Sequence, residues 1–292
     1  MKDTIMKHET RVLTPEAFPP FLREIPSPPE RLWAMGAFPK KDTKYLSVVG
    51  SRNISRYGKE VIAYLIEALA PYPITIVSGL ARGVDGEAHR AALRAGLHTI
   101  AIPGSGLHKS VLYPRTHAPL AETIVEKGGL LLSEHPPTHR ARAYDFLSRN
   151  RIMAGISHAT LVIEATERSG TLVTARLAVD YNRELLCVPH SIFAENGKGS
   201  HQFIRLGATL VTSPEDILEA LNISRETSTP LHEARGNESE VTRHILSLLA
   251  EPTDRDTLLR SLNVPPSTVL QTLMTLELSG VIIESGGLYR RK

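Results

Sequence analysis

The chain has 292 residues, 41% of them hydrophobic and 22% charged, with a formal charge of +3 and a pI near 9.0. That balance is enough to bury a full core, which excludes a disordered tail, and it leans toward polyanions without the like-charge blocks of a polybasic protein. A single cysteine, Cys187, excludes an internal disulfide or a multi-cysteine zinc site and fits a reducing compartment.

The N-terminal stretch MKDTIMKHETRVLTPEAFPPF lacks the apolar run of a signal peptide, and no stretch of about 18 apolar residues occurs elsewhere. The expectation is a cytoplasmic protein with no membrane partner. Residues 1–40 are proline-rich and too short for a core of their own, so they are expected to pack as an extended lead-in. From Tyr45 onward, short apolar runs alternate with amphipathic helical patterns: YLSVVG, ITIVSG, HTIAIPG, GLLLSE, TLVIEA, ELLCVP and ATLV. Runs of four to six apolar residues separated by helices are strands covered on both faces. The fold class is therefore α/β, an extended Rossmann-like, doubly wound, mostly parallel sheet over residues 41–222. Polar, aperiodic residues 223–237 read as a linker. Residues 238–292 carry three helical patterns and a closing hairpin with Gly-Gly, a small C-terminal winged-helix domain. From Gly236 to Lys292 there are six basic and seven acidic residues, and the third helix, PSTVLQTLMTLELSG, has no lysine or arginine. A domain that grips DNA carries the opposite balance, so this one is expected to be a protein-contact or regulatory appendage.

A parallel sheet places its chemistry at the carboxyl ends of its strands. Strand one ends in GSR, strand two in SGLARGVD, strand three in PGSG, and ERSGT follows strand five and opens a helix. Glycine lets backbone N–H groups approach a ligand, hydroxyls add donors, and helix N-termini add partial positive charge, so this edge suits phosphate. Any one such loop is ordinary punctuation; four on one edge with Arg52 are not. G-x-G-x-x-G and G-x-x-x-x-G-K-[ST] are both absent, which disfavours NAD and excludes a P-loop ATPase.

The ordered series VVGSRNISRYG, SGLARGVDGEAHRAAL, IPGSGLHKSVLYPRTH, SEHPP, FLSRNRIMAGISHATLVIEATERSGTLVTARLA and GSHQFIRLGA, with the proline-rich start and terminal winged helix, resembles the DNA-processing protein A (DprA/Smf) family of natural transformation. The resemblance covers nearly the whole chain. It implies a cytosolic, non-enzymatic homodimer that binds and protects incoming single-stranded DNA and loads the RecA recombinase onto it. It also marks departures: His108, His117 and His190 stand where the family commonly has Asp, Asn and Gly, and a side chain at His190 is expected to narrow the pocket.

In FLSRNR, Arg149 and Arg151 are expected to clamp phosphates, Asn150 to bond a phosphate, a base or a neighbouring loop, and Phe146 to stack on a splayed base. The alternative is a core Phe146 with arginines that are solvated or paired with Asp145 or Glu164. The candidate DNA-binding residues are Gly50, Ser51, Arg52, Ser78, Gly79, Gly83, Gly104, Gly106, Lys109, Phe146, Arg149, Asn150, Arg151, Ser169, Gly170 and Thr171. No catalytic residue, cofactor or metal is expected. Lys109 and Arg115 either extend the phosphate track or are solvated. His135 and His139 have the spacing of a metal pair, but HPPTH cannot be helical and reads as loop. Asp85, Glu87 and His89 read as helix-start residues. Two other functions stay open: a nucleotide-sensing module, and a phosphoribohydrolase like the LOG enzymes, against which stands Thr174 at the position of their catalytic glutamate.

Overall fold

All seven apolar runs are strands in the computed structural model, which describes residues 9–39, 42–167, 169–224, 240–249, 251–262, 264–278, 280–285 and 287–291. Ahead of them come β1 (Arg11–Leu13), the helical turn α1 (Pro20–Arg23) and β2 (Leu32–Gly36). Strands and helices then alternate as β3 (Lys44–Val49), α2 (Arg56–Ala68), β4 (Ile74–Ser78), α3 (Val84–Arg94), β5 (His98–Ala101), α4 (Ala118–Glu126) and β6 (Leu130–Ser133). The second half follows with α5 (Ala143–Ile156), β7 (Ala159–Val162), α6 (Thr171–Asp180), β8 (Glu184–Cys187), α7 (Lys198–Arg205), β9 (Thr209–Leu210) and α8 (Pro214–Ala220).

The sheet order is β1-β2-β6-β5-β4-β3-β7-β8-β9, and the seven strands from β6 to β9 are parallel. Strand direction of growth reverses at β3, which pairs with β4 through Leu46 and Ile76 and with β7 through Val48 and Leu161. This is the topological switch point at which open α/β sheets bind ligands. Period-two alternation explains why the runs are apolar throughout. Val49, Val77, Ile100 and Val162 enter one core with Ile152, Met153 and Ile156 of α5. Their neighbours Val48, Ile76, Leu161 and Ile163 enter the other with Ile62, Leu65 and Ile66 of α2 and Ala88 and Ala91 of α3.

The proline-rich start is more than a lead-in. β2 pairs antiparallel with β6 (Trp33 opposite Ser133), β1 pairs with β2, and Phe18, Leu22, Ile25 and Leu32 share the core of α5. Short strands among prolines, β1 at the sheet edge and β2 between β1 and β6, carry too little periodicity to be read from sequence. Of the linker 223–237, only Ile223 and Ser224 fall within the described residues.

A second compact unit is formed by α9 (Glu240–Leu248), β10 (Thr253–Asp254), α10 (Arg255–Ser261), α11 (Pro266–Leu278), β11 (Ile282–Ser285) and β12 (Leu288–Arg291). Its strands order as β10-β12-β11 around a core of Ile245, Leu258, Val269, Leu273 and Ile282. This is the helical trio and hairpin of a winged helix. Arg291 of the basic terminus donates from Nε to the Leu246 carbonyl at 2.8 Å, so it is an internal tie and not part of a loose tail. Among the described residues no helix is long and apolar enough to cross a membrane.

His89 gives the α/β unit an acid-sensitive core. Thr99 donates its hydroxyl to the Ile76 carbonyl at 2.9 Å, so the 2.7 Å contact between Thr99 and His89 Nδ1 requires an Nδ1–H donor, and the buried Nε2 has no hydrogen-bond partner of good geometry among the described residues. Burial, helped by the charges of His117 and Arg90, lowers this imidazole from 6.5 to about 3. Between these two values the unfolded chain binds the proton that the folded chain refuses. The stability due to neutral His89 is therefore complete above pH 6.5 and is lost as pH falls toward 3. Denaturant unfolding at stepped pH is expected to show wild type losing up to about 1.4 kcal/mol more per pH unit than His89→Gln in this window. Parallel pH profiles for the two proteins would disprove the assignment.

Candidate nucleic-acid interface

A cleft of about 200 Å³ opens at the switch point, lined by Gly50 and Arg52 after β3, by α5, and by Ser169, Gly170, Thr171 and Thr174 at the start of α6. On α5 the lining residues are Phe146, Arg149, Asn150 and Met153, with Leu147 at the rim. Those four sit at i, i+3, i+4 and i+7, which is one helix face. Arg151 lies two positions beyond Arg149, a rotation of about 200° on the helix, so both cannot face one ligand.

Arg151 instead donates to the Ser27 carbonyl at 2.7 Å and to Glu134, tying α5 to the N-terminal segment. Arg149 also differs from the expected exposed clamp: it is 6% exposed, and its Nη1 donates to the Gly79 carbonyl at 2.6 Å and to the Ile102 carbonyl. Its Nε donates to Asn150 Oδ1 at 3.2 Å, which fixes that amide at the cleft wall. Asp85 completes the buried group by accepting the Gly79 and Ala81 N–H groups at 3.1 and 3.3 Å. Burial pushes the Asp85 carboxyl up against the pull of Arg149 and those amides, and it pushes the Arg149 guanidinium down against the pull of Asp85. Asp85 does start a helix, as read, and it also closes the loop after β4. Neither arginine of FLSRNR pairs with Asp145 or Glu164; Glu164 accepts from the Ser55 N–H and hydroxyl at 2.9 and 2.7 Å and joins α2 to β7.

The glycines at this edge make room for the protein's own side chains. A Cβ on Gly79 would lie 1.9 Å from Arg149 Nη1, and one on Gly104 would lie 2.7 Å from Phe146 Cδ1. Gly50 is closed over by Val84, Gly106 by the carbonyls of Pro136 and Pro137, and Gly83 by the Ser51 carbonyl, whereas Gly170 faces open space. The hydroxyls divide in the same way. Ser78 donates to the Val48 carbonyl at 2.6 Å, and Ser51 and Ser169 close local turns with Asn53 and Thr171. Lys109 pairs with Glu122 at 2.8 Å and does not line the cleft.

Exposed cations remain. Arg52 places its guanidinium over the Phe146 ring, 5.4 Å from the centroid, and Tyr113 meets the same ring at 5.4 Å and a tilt of 58°. Tyr113 was not singled out from sequence; its position in a loop of turn residues gave no periodic signal. Arg52, Arg82, Arg140 and Arg142, all in loops at the carboxyl edge, are exposed, and none is in an ion pair among the described residues. His190 does not narrow this cleft. Its ring bonds the Ile163 carbonyl at 2.7 Å, meets Tyr57 edge-on, and lines a second cleft with Ser55 and Asn196. His117 turns inward to the Leu80 carbonyl at 2.8 Å.

A parallel sheet with a cationic, aromatic switch point, followed by a winged helix, defines a two-unit architecture that the family comparisons match in both parts. The family model of DNA recombination-mediator protein A covers residues 9–222, the DprA winged helix domain covers residues 229–287, and the chain belongs to this family. Protein Smf of Escherichia coli is 40% identical over 286 residues, covering 94% of this chain and 75% of that protein. DNA processing protein DprA of Bacillus subtilis is 37% identical over 211 residues, covering 72% and 70%. Among solved structures, DNA processing protein A of Streptococcus pneumoniae superposes with a TM-score of 0.68 at 36% identity, covering 72% of this chain and 74% of that one. The Helicobacter pylori protein, whose structural study concerns its single-stranded DNA binding mode, gives 0.65 at 26% identity over 75% and 98%.

Proposed function

We propose that this chain binds single-stranded DNA along the carboxyl edge of its sheet, without sequence preference and without catalysis, and delivers it to the RecA recombinase during natural transformation in the cytoplasm. The observation that carries the reading is the pairing of the exposed Arg52 with the Phe146 ring at the switch point, together with exposed arginines in loops of the same sheet edge that have no carboxylate partner among the described residues. Bases that stack on an aromatic while arginines track phosphates bind tolerantly of sequence, because every base has a π-face. The single-strand binding mode studied in the Helicobacter pylori relative supports the same reading, and family membership supports the step to RecA. Thr174, buried in the cleft wall, supplies no carboxylate for a phosphoribohydrolase, and a cleft of about 200 Å³ is small for a mononucleotide site.

Labelled single strands titrated against matched duplex and mononucleotides test this. Single strands are expected to bind tightest, with log affinity falling by about 0.7 per log unit of salt for each phosphate neutralised. Equal or tighter duplex binding overturns it.

Homodimerisation belongs to the same proposal. Ile192, Phe193, Leu206 and Leu210 are 78%, 89%, 73% and 46% exposed, on the β8–α7 loop, the end of α7 and the edge strand β9. Exposed apolar side chains on the segments that lead to and form an edge strand are the kind of surface a second copy covers.

The winged helix contributes little to DNA affinity in this reading. Leu270 and Met274, one turn apart on α11, are 42% and 66% exposed, an outward face that suits protein and not phosphate. A chain ending at Ser224 is expected to keep single-strand affinity within about tenfold of the full chain at fixed salt. A larger loss with the dimer intact would assign real DNA contacts to the wing.

A further inference from the structure

Two histidines that the DNA-binding reading does not use converge on one carboxylate. The loop between β6 and α5 carries His135 and His139, whose rings stack with centroids 4.2 Å apart and planes 17° from parallel. Both turn the same nitrogen toward Asp145 in the first turn of α5: His139 Nε2 is 2.7 Å from Oδ2, and His135 Nε2 is 3.7 Å from Oδ1. One donor atom from each of the three lies within 4.8 Å of the others. Hydrogen bonding alone does not require the third group, because Asp145 Oδ2 already accepts the Arg142 N–H at 2.7 Å together with His139.

We propose that His135, His139 and Asp145 form a binding site for a divalent transition-metal ion of the zinc type. Two imidazole nitrogens and one carboxylate oxygen suit zinc and not magnesium or calcium, which take oxygen ligands. Ligand bonds of about 2.0–2.2 Å place three such donors within roughly 4 Å of one another, so closing the site requires the two stacked rings to splay from their near-parallel planes until both Nε2 lone pairs meet one ion. The backbone is already fixed. Gly106 N–H donates to the His139 carbonyl and His108 N–H to the Pro137 carbonyl, each at 2.9 Å, and His135 N–H donates to Ser133 Oγ at 3.1 Å. The histidine side chains are 20% and 25% exposed, which leaves an entry path and a fourth position for water, while Asp145 is buried. A bound ion would clip the loop after β6 to the start of α5, the helix that carries Phe146 and Arg149. Prolines in HPPTH exclude the helical spacing from which a histidine pair is ordinarily read, so the sequence presented a loop where the fold presents three donors. The inference does not depend on DNA binding, and either can fail alone.

The test is calorimetric titration of the tag-free full chain with Zn²⁺, alongside Co²⁺ absorption in the visible d–d region. The 12 histidines of the chain provide background sites, so variants decide. Wild type is expected to bind one Zn²⁺ at the strongest site and to show a tetrahedral Co²⁺ spectrum. His135→Ala and His139→Ala should each weaken that site by roughly tenfold or more, and the double variant should abolish both signals. His139→Gln keeps a donor toward Asp145 but is a poor ligand, so it should fold as wild type by circular dichroism and still lose the site. Absence of zinc binding, or affinity and cobalt spectrum unchanged in His139→Gln and the double variant, would overturn the proposal.

Discussion

Arg149→Ala is expected to lower the stability of the α/β unit by about 3–5 kcal/mol, the range for removing one partner from a buried charged group. The guanidinium is 6% exposed and bridges the carbonyls of Gly79 and Ile102, at the ends of β4 and β5, while its charge opposes the burial of Asp85. Alanine leaves two carbonyls without a donor, a void under the cleft and a buried carboxyl without its cation. Arg149→Lys should recover only part of the loss, since one ammonium cannot reproduce a planar fork aimed at two separated acceptors. Gly79→Ala should destabilise by the same route, its Cβ falling 1.9 Å from Nη1 against neighbours that have nowhere to move. Guanidinium denaturation of the three variants checks this. A midpoint for Arg149→Ala equal to wild type would return Arg149 to the role of an exposed phosphate clamp.

The strands from β3 to β8 were legible because most of their positions are buried, so composition alone marked them; β4, ITIVS, is buried at every position, whereas β9 is exposed at both. β1 and β2 were not legible: β1 is a three-residue edge strand, and β2, paired on both sides, spans only five residues behind a proline-rich stretch. At the candidate site, α5 lines the cleft with Arg149 and not with Arg151. Reading FLSRNR along the chain sets Arg149 beside Arg151, whereas the helical period sets Arg149 beside Phe146, Asn150 and Met153. The glycines were identified as points of close approach, but what approaches is set by contacts 70 residues apart, as between Gly79 and Arg149. Local pattern carries no information on such a pair. The same holds for Glu164 and Ser55, separated by 109 residues.

Arg52 and Phe146 are expected to act on single-stranded DNA as one unit, and a double-mutant cycle separates their contributions. Arg52 is exposed and lies over the Phe146 face at 5.4 Å, and its opposite electrostatic effects on buried Asp85 and Arg149 offset, so Arg52→Ala should leave the denaturation midpoint nearly unchanged. It should reduce affinity and shrink the salt slope by about 0.7 for the phosphate no longer neutralised. Phe146→Ala removes a stacking surface worth about 1–3 kcal/mol per base and should leave the slope as it was. Gly104 and Tyr113 also pack against this ring, and Arg52 lies over it, so the expected approach for a base is between ring and guanidinium, with Arg52 lifting to admit it. A base that inserts there meets guanidinium and ring together, so removing either weakens the hold of the other. The double variant should therefore lose less affinity than the sum of the singles, by roughly 0.5 kcal/mol or more. Strict additivity would place the two residues on different nucleotides, and full affinity in Phe146→Ala would leave the ring as packing for Gly104 and Arg52 alone.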